Sequence, residues 1–149
     1  MQFSTAVLSA ITVAIASAAT IGQRDNTVFK VSDFSAGCIP HSTQCLYSFT
    51  VIQPGTMETT GVNCSALAPA GPNGKLPDLA KWQGKCGISS RTFWLTHKHK
   101  GVEFTVSQPV TPSSNQTGSY LLPKSEFTTS QTTIGPVESY SGPSSFNLS

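Results

Sequence analysis

The chain has 149 residues and a net charge of +2, and only 11% of its residues are charged, against roughly 25% in an average globular protein. That mild balance argues against a nucleic-acid binder, whose footprint is a strongly basic stripe. Ser, Thr, Gly and Pro take the place of the missing charges, which favours strands and turns over surface helices.

The first segment in chain order is AVLSAITVAIA, residues 6–16, an uncharged run followed by the small residues Ala16-Ser17-Ala18. This is the apolar core and cleavage site of a secretory signal peptide, and it is too short for a bilayer span of about 20 apolar residues. The expectation is a signal peptide at residues 1–18 and a single secreted, extracellular β domain at 19–149, with no membrane span. In an oxidising compartment Cys38, Cys45, Cys64 and Cys86 become two disulfides, for which sequence alone allows three pairings. Six residues between Cys38 and Cys45 suit neither the Cys-x2-4-Cys of zinc sites nor the Cys-x-x-Cys of redox pairs. The stretch Cys-Ile-Pro-His-Ser-Thr-Gln-Cys reads as a staple, with His41 in a solvated turn.

Residues 27–34, rich in Val and Phe, form the first expected strand. Tyr47, Phe49 and Val51 then alternate with Ser48 and Thr50, the period of a half-buried strand. Gln53-Pro54-Gly55-Thr56 turns the chain, and residues 58–63 return as a polar partner. Residues 64–85 hold Pro69, Gly71-Pro72-Asn73-Gly74 and Pro77 and read as a long loop. A hairpin follows. Phe93 and Leu95, with His97 at the end, share one face; residues 98–101 turn; Val102, Phe104 and Val106 face inward and Glu103 and Thr105 outward. From residue 107 onward, 25 of 43 residues are Ser, Thr, Pro or Gly, which suggests a linker at 108–117. Short strands follow around Tyr120-Leu121-Leu122, Phe127 and Tyr140, with the last near residues 144–148. Asn115-Gln116-Thr117 is an N-glycosylation acceptor in that linker.

Chemistry-bearing constellations are scarce. No Gly-x-Ser-x-Gly elbow occurs, and the seven acids read as isolated and solvated rather than as the paired carboxylates of a glycosidase. His97-Lys98-His99-Lys100 is the best metal candidate, but two imidazoles bind weakly and the lysines repel a cation, so neither metal nor cofactor is expected. Six of the nine basic residues lie between Lys75 and Lys100, where Asp78 is the one acid and Trp82 and Trp94 are interleaved. Bases with aromatics suit an anionic polymer or a protein partner. Lys81, Trp82, Lys85, Lys98 and Lys100 are the candidate binding residues.

Three motifs occur in order: Val28-Phe29-Lys30-Val31-Ser32-Asp33-Phe34, then Asn63-Cys64-Ser65-Ala66, then Lys81-Trp82-Gln83-Gly84-Lys85-Cys86-Gly87. With the hairpin at residues 91–106, this arrangement resembles the Alternaria major-allergen family of small secreted fungal proteins, some of which elicit plant defence. The resemblance covers residues 28–106. It implies a small antiparallel β-barrel or sandwich, a Cys64–Cys86 disulfide and no enzyme activity. Cys38 and Cys45 have no counterpart in the family, and are expected to close a local loop at a strand entrance. The family's later cysteine pair is missing, as in a distant branch, so shared partners and cysteine-linked dimers do not carry over. The expectation is an all-β, non-enzymatic effector or elicitor at the host apoplast interface, partnered by an apoplastic protein or a cell-wall polymer. The alternative is a wall-associated polyanion- or glycan-binding module; a small hydrolase with dispersed catalytic residues ranks below both.

Overall fold

The computed structural model describes residues 25–149, and the signal peptide expected at 1–18 lies outside them. The described chain is all-β. Ten strands run antiparallel: β1 (Phe29–Cys38), β2 (Gln44–Ile52), β3 (Val62–Pro69), β4 (Leu79–Cys86), β5 (Thr92–Lys98), β6 (Gly101–Thr111), β7 (Ser114–Pro123), β8 (Phe127–Thr132), β9 (Gly135–Tyr140) and β10 (Phe146–Leu148). Neighbours from β1 to β7 pair in sequence order, β9 joins the other edge of β1, and β8 pairs with β9. No helix among the described residues is long and apolar enough to cross a membrane.

The sheet curls into a nearly closed barrel, and its seam is β10. Leu148 pairs with Phe29 of β1, while Ser119 of β7 exchanges two backbone hydrogen bonds with Ser149, at 3.0 and 3.2 Å. This approach needs Gly118 on β7: a Cβ there would lie 3.0 Å from Leu148 Cβ and 3.2 Å from the Phe29 ring. Inside, the alternating residues of β1, β2, β5 and β6 converge on Phe104. Its ring lies 4.9 Å from that of Phe49, 5.3 Å from Phe34 and 6.2 Å from Phe93. Phe49, Phe93 and Phe104 are all buried, and each contributes about 1.5–3 kcal/mol through removal from water. Tyr47 is buried with them and donates to the Pro77 carbonyl at 2.5 Å; burial, foremost, and the charges of Asp78 and Glu138 push its phenol pKa up.

Both disulfides join residues that face each other across strand pairs, Cys38–Cys45 on β1–β2 and Cys64–Cys86 on β3–β4. The seven- and 22-residue separations correspond to about 2 and 3 kcal/mol of lost unfolded-state entropy on the loop-closure model. His41 holds φ 63° in the β1–β2 turn and is exposed.

Several boundaries differ from the expectations. β1 continues past Phe34 to Cys38 because Asp33, at φ 53°, accommodates a bulge before Ser35. The partner of β2 starts at Val62, not residue 58, and β3 runs to Pro69 through inward-facing Cys64, Ala66 and Ala68. Alanines carry little apolar signal, so the expected loop at 64–85 shrinks to the stretch between β3 and β4. Residues 108–117 are no linker: they are the far end of the β6–β7 hairpin, paired through Gln108–Gln116 and Pro109–Asn115.

One acid and one base also leave the solvated surface assigned to them. Arg91 is 5% exposed, and its Nη1 and Nη2 each donate to a Glu58 carboxylate oxygen at 2.8 Å. Its Nε donates to Gln108 Oε1 at 2.7 Å, and its cation lies 5.6 Å from the Phe29 ring. The Arg91 hydrogen bonds hold the Glu58 carboxyl below its ordinary pKa.

Candidate functional site

The outer face of β4 to β7 carries the aromatic pair Trp82 and Trp94. It is built by an interruption in strand pairing. Leu79 pairs with Leu95 and Gly84 with Phe93, so four residues of β4, 80–83, oppose Trp94 alone. Gly84 permits the return to register, since a Cβ there would fall 2.5 Å from the Phe93 ring. Gln83 Oε1 accepts from the Ala80 amide at 2.8 Å and braces the bulge. At its crest Trp82 sits at φ 66°, a conformation that costs a bulky residue of order 1–3 kcal/mol and persists where surroundings impose it, often at functional sites.

The result is a wall of indoles. Trp82 is 48% exposed, and its ring meets that of half-buried Trp94 edge-on, with centroids 6.4 Å apart. Lys81 Nζ lies 4.5 Å from the Trp82 centroid and 5.8 Å from that of Trp94, a cation–π arrangement that holds the ammonium against the wall.

The floor is polar. The register places Trp94, Thr105 and Ser119 in one row across β5, β6 and β7, and Thr92, Ser107 and Thr117 in the next. Of these, Thr105, Ser107, Thr117 and Ser119, with Glu103 and Asn115, line a cleft of about 350 Å³ against Lys81, Trp82 and Trp94. That is ligand-sized, at the small end of the usual ~300–1,000 Å³. Thr105 and Ser119 satisfy one another, Oγ1 to Oγ at 2.9 Å. Ser107 is 1% exposed, and its Oγ has no hydrogen-bond partner among the described residues. A buried, unpaired hydroxyl costs about 1–3 kcal/mol, and this one lies beneath the floor of the cleft.

The five binding residues expected from the sequence divide between sites. Lys81 and Trp82 belong to the cleft. Lys85 extends the Thr92–Ser107–Thr117 row onto β4. Lys98 lies at the barrel's end, lining a separate cavity with Lys75, Lys124 and Phe127, and Lys100 is beside it, its carbonyl accepting from the Lys124 amide at 3.1 Å. The basic segment is therefore not one patch, and Arg91 is withdrawn from it altogether. His97 is exposed on the rim, its Nδ1 against Asp78 and its amide donating to that carboxylate at 2.8 Å. No group of three metal-ligating side chains occurs among the described residues. Asn115 is exposed on the rim of the cleft.

Sequence reasoning placed Trp94 among the interleaved aromatics but left it out of the binding set, and it passed over the hydroxyl row. The alternation in Thr92, Trp94 and Thr96 was legible. What was hidden is that Ser107, Thr117 and Ser119 come to lie beside that strand's outer face. No protein-family model matches the chain, and no curated protein is significantly similar to it.

Proposed function

We propose that this protein is a non-enzymatic extracellular module that binds cell-wall polysaccharide through the Trp82 cleft. The observation that carries the reading is an exposed indole, held out on a strained bulge, above a floor of hydroxyls. A pyranose ring has an apolar C–H face, which stacks on an indole, and a rim of hydroxyls, which exchange hydrogen bonds with Ser, Thr, Asn and Glu side chains. Lys81 adds one cation for a uronate or a ring oxygen. Among the residues lining the cleft Glu103 is the one carboxylate, whereas glycoside hydrolysis by the common route uses two, about 5–9.5 Å apart, so binding is favoured over cleavage. The separation of Lys98 and Lys100 from Lys81 favours a stacked sugar over a polyanion gripped by the whole basic segment. In this reading the chain is a distant branch of the small secreted fungal proteins it resembles. At a host apoplast, the effector role raised by the sequence becomes the question of whose wall the cleft engages.

The test is affinity electrophoresis of bacterially produced protein in gels containing pectin or a neutral β-glucan, at low and high salt. Trp82→Ala should weaken binding about tenfold or more at both salts, because apolar contact is not screened. A Lys98→Ala/Lys100→Ala variant should bind as wild type does. Loss with the lysine variant, steep in salt, and none with Trp82→Ala would refute the assignment and return the function to the basic tip.

A further inference from the structure

The glycosylation acceptor and the cleft coincide. Asn115 and Thr117 are alternate residues of β7, both exposed, and both line the Trp82 cleft. We propose that an N-linked glycan on Asn115 folds across β6 onto Trp82 and caps the cleft in cis, so that occupancy of Asn115 sets whether the face is open to other sugars. The proposal rests on the sugar-binding reading above and adds its regulation.

Three features support it. The first is reach. Asn115 pairs with Pro109 of β6, whereas Trp94 pairs with Thr105 on the far side of β6, so about 10 Å across the strands and about 13 Å along them, about 17 Å in all, separate the attachment point from the indole row. An N-linked core of three to four pyranoses spans such a distance. Next comes chemistry: the core begins with N-acetylated pyranoses, whose amide and hydroxyl groups suit Thr117 and Glu103, and continues in hexoses, each with a C–H face for Trp82. The third is tethering. A ligand held on a short flexible connection has an effective concentration of order millimolar, which outcompetes free oligosaccharide of ordinary weak affinity. Attachment joins Asn115 Nδ2 to C1 of the first sugar. The donor is a lipid-linked oligosaccharide diphosphate, whose lipid diphosphate departs as Nδ2 gives up a proton.

The experiment compares protein secreted by a glycosylating eukaryotic host with Asn115→Gln from the same host, each with and without Trp82→Ala. Peptide mass spectrometry reports occupancy, acrylamide quenching of tryptophan fluorescence reports cover over Trp82, and affinity electrophoresis reports binding of added polysaccharide. Glycosylated wild type should be quenched about twofold less than Asn115→Gln, and should bind added polysaccharide about tenfold more weakly. The difference in quenching should vanish in the Trp82→Ala background. An unmodified Asn115, or equal quenching with and without the glycan, overturns the capping. Equal polysaccharide binding by the two forms also overturns it, while leaving the proposed function intact. Glycan-dependent quenching in a protein whose Asn115→Gln form binds no polysaccharide supports the capping and removes the binding of external sugars instead.

Discussion

Replacing Glu58 by Gln tests whether the buried guanidinium of Arg91 depends on its carboxylate partner. The substitution keeps size and shape but removes the charge, leaving a cation that is 5% exposed without its counter-ion. Breaking a fully buried pair costs about 3–5 kcal/mol. The Glu58 side chain is 20% exposed, so water partly replaces it. Gln108 and Phe29 continue to hold Arg91, which brings the expected cost to about 2–3 kcal/mol. With a urea m-value of about 2 kcal/mol/M for a small domain, the unfolding midpoint should fall by roughly 1–1.5 M at neutral pH. The sign with pH follows from linkage. The folded pKa of Glu58 is depressed by its hydrogen bonds to Arg91, so its contribution is fully present above the ordinary carboxylate pKa. It is lost as pH falls through the folded value. Urea titrations of wild type and Glu58→Gln between pH 7 and pH 2 should therefore show a gap that closes under acid. A gap that stays constant across that range would mean the glutamate acts through packing, and would refute the electrostatic account.

Phe104→Ala should destabilise by about 4–5 kcal/mol, near the top of the range for buried phenylalanines, because it removes edge-on partners of Phe49, Phe93 and Phe146 together. Glu103→Ala, on the outer face, should change stability by no more than about 0.5 kcal/mol, and equal midpoint shifts in urea would show that the in/out register of β6 is wrong. At the bulge, Trp82→Gly should be about 1 kcal/mol more stable than Trp82→Ala, since glycine alone relieves the left-handed backbone. Both should lose sugar binding alike, and thermal unfolding beside affinity electrophoresis would expose a bulge that imposes no strain if the two variants melt together.

Local pattern was enough for the β class, the Cys38–Cys45 staple and much of the inner face. Period-two alternation at Tyr47, Phe49 and Val51, and at Val102, Phe104 and Val106, is a property of neighbours along the chain, and each set is buried. Cys38 and Cys45 were also readable locally, since a short turn brings them opposite each other. Weak local signals misled: alanines on β3 disguised a strand, and a run of Ser, Thr and Pro disguised the β6–β7 hairpin. The cleft required the tertiary structure outright. Its wall comes from a bulge on β4 whose shape depends on the Phe93 ring filling the space beside Gly84, and its floor from β6 and β7, set by pairing register. Arg91 shows the same limit for charge. In the sequence it is one of six bases between Lys75 and Lys100, and whether it reaches solvent depends on Glu58, 33 positions away. Chain-local chemistry determines which way a side chain points from its own strand; only closure of the sheet determines what it meets there.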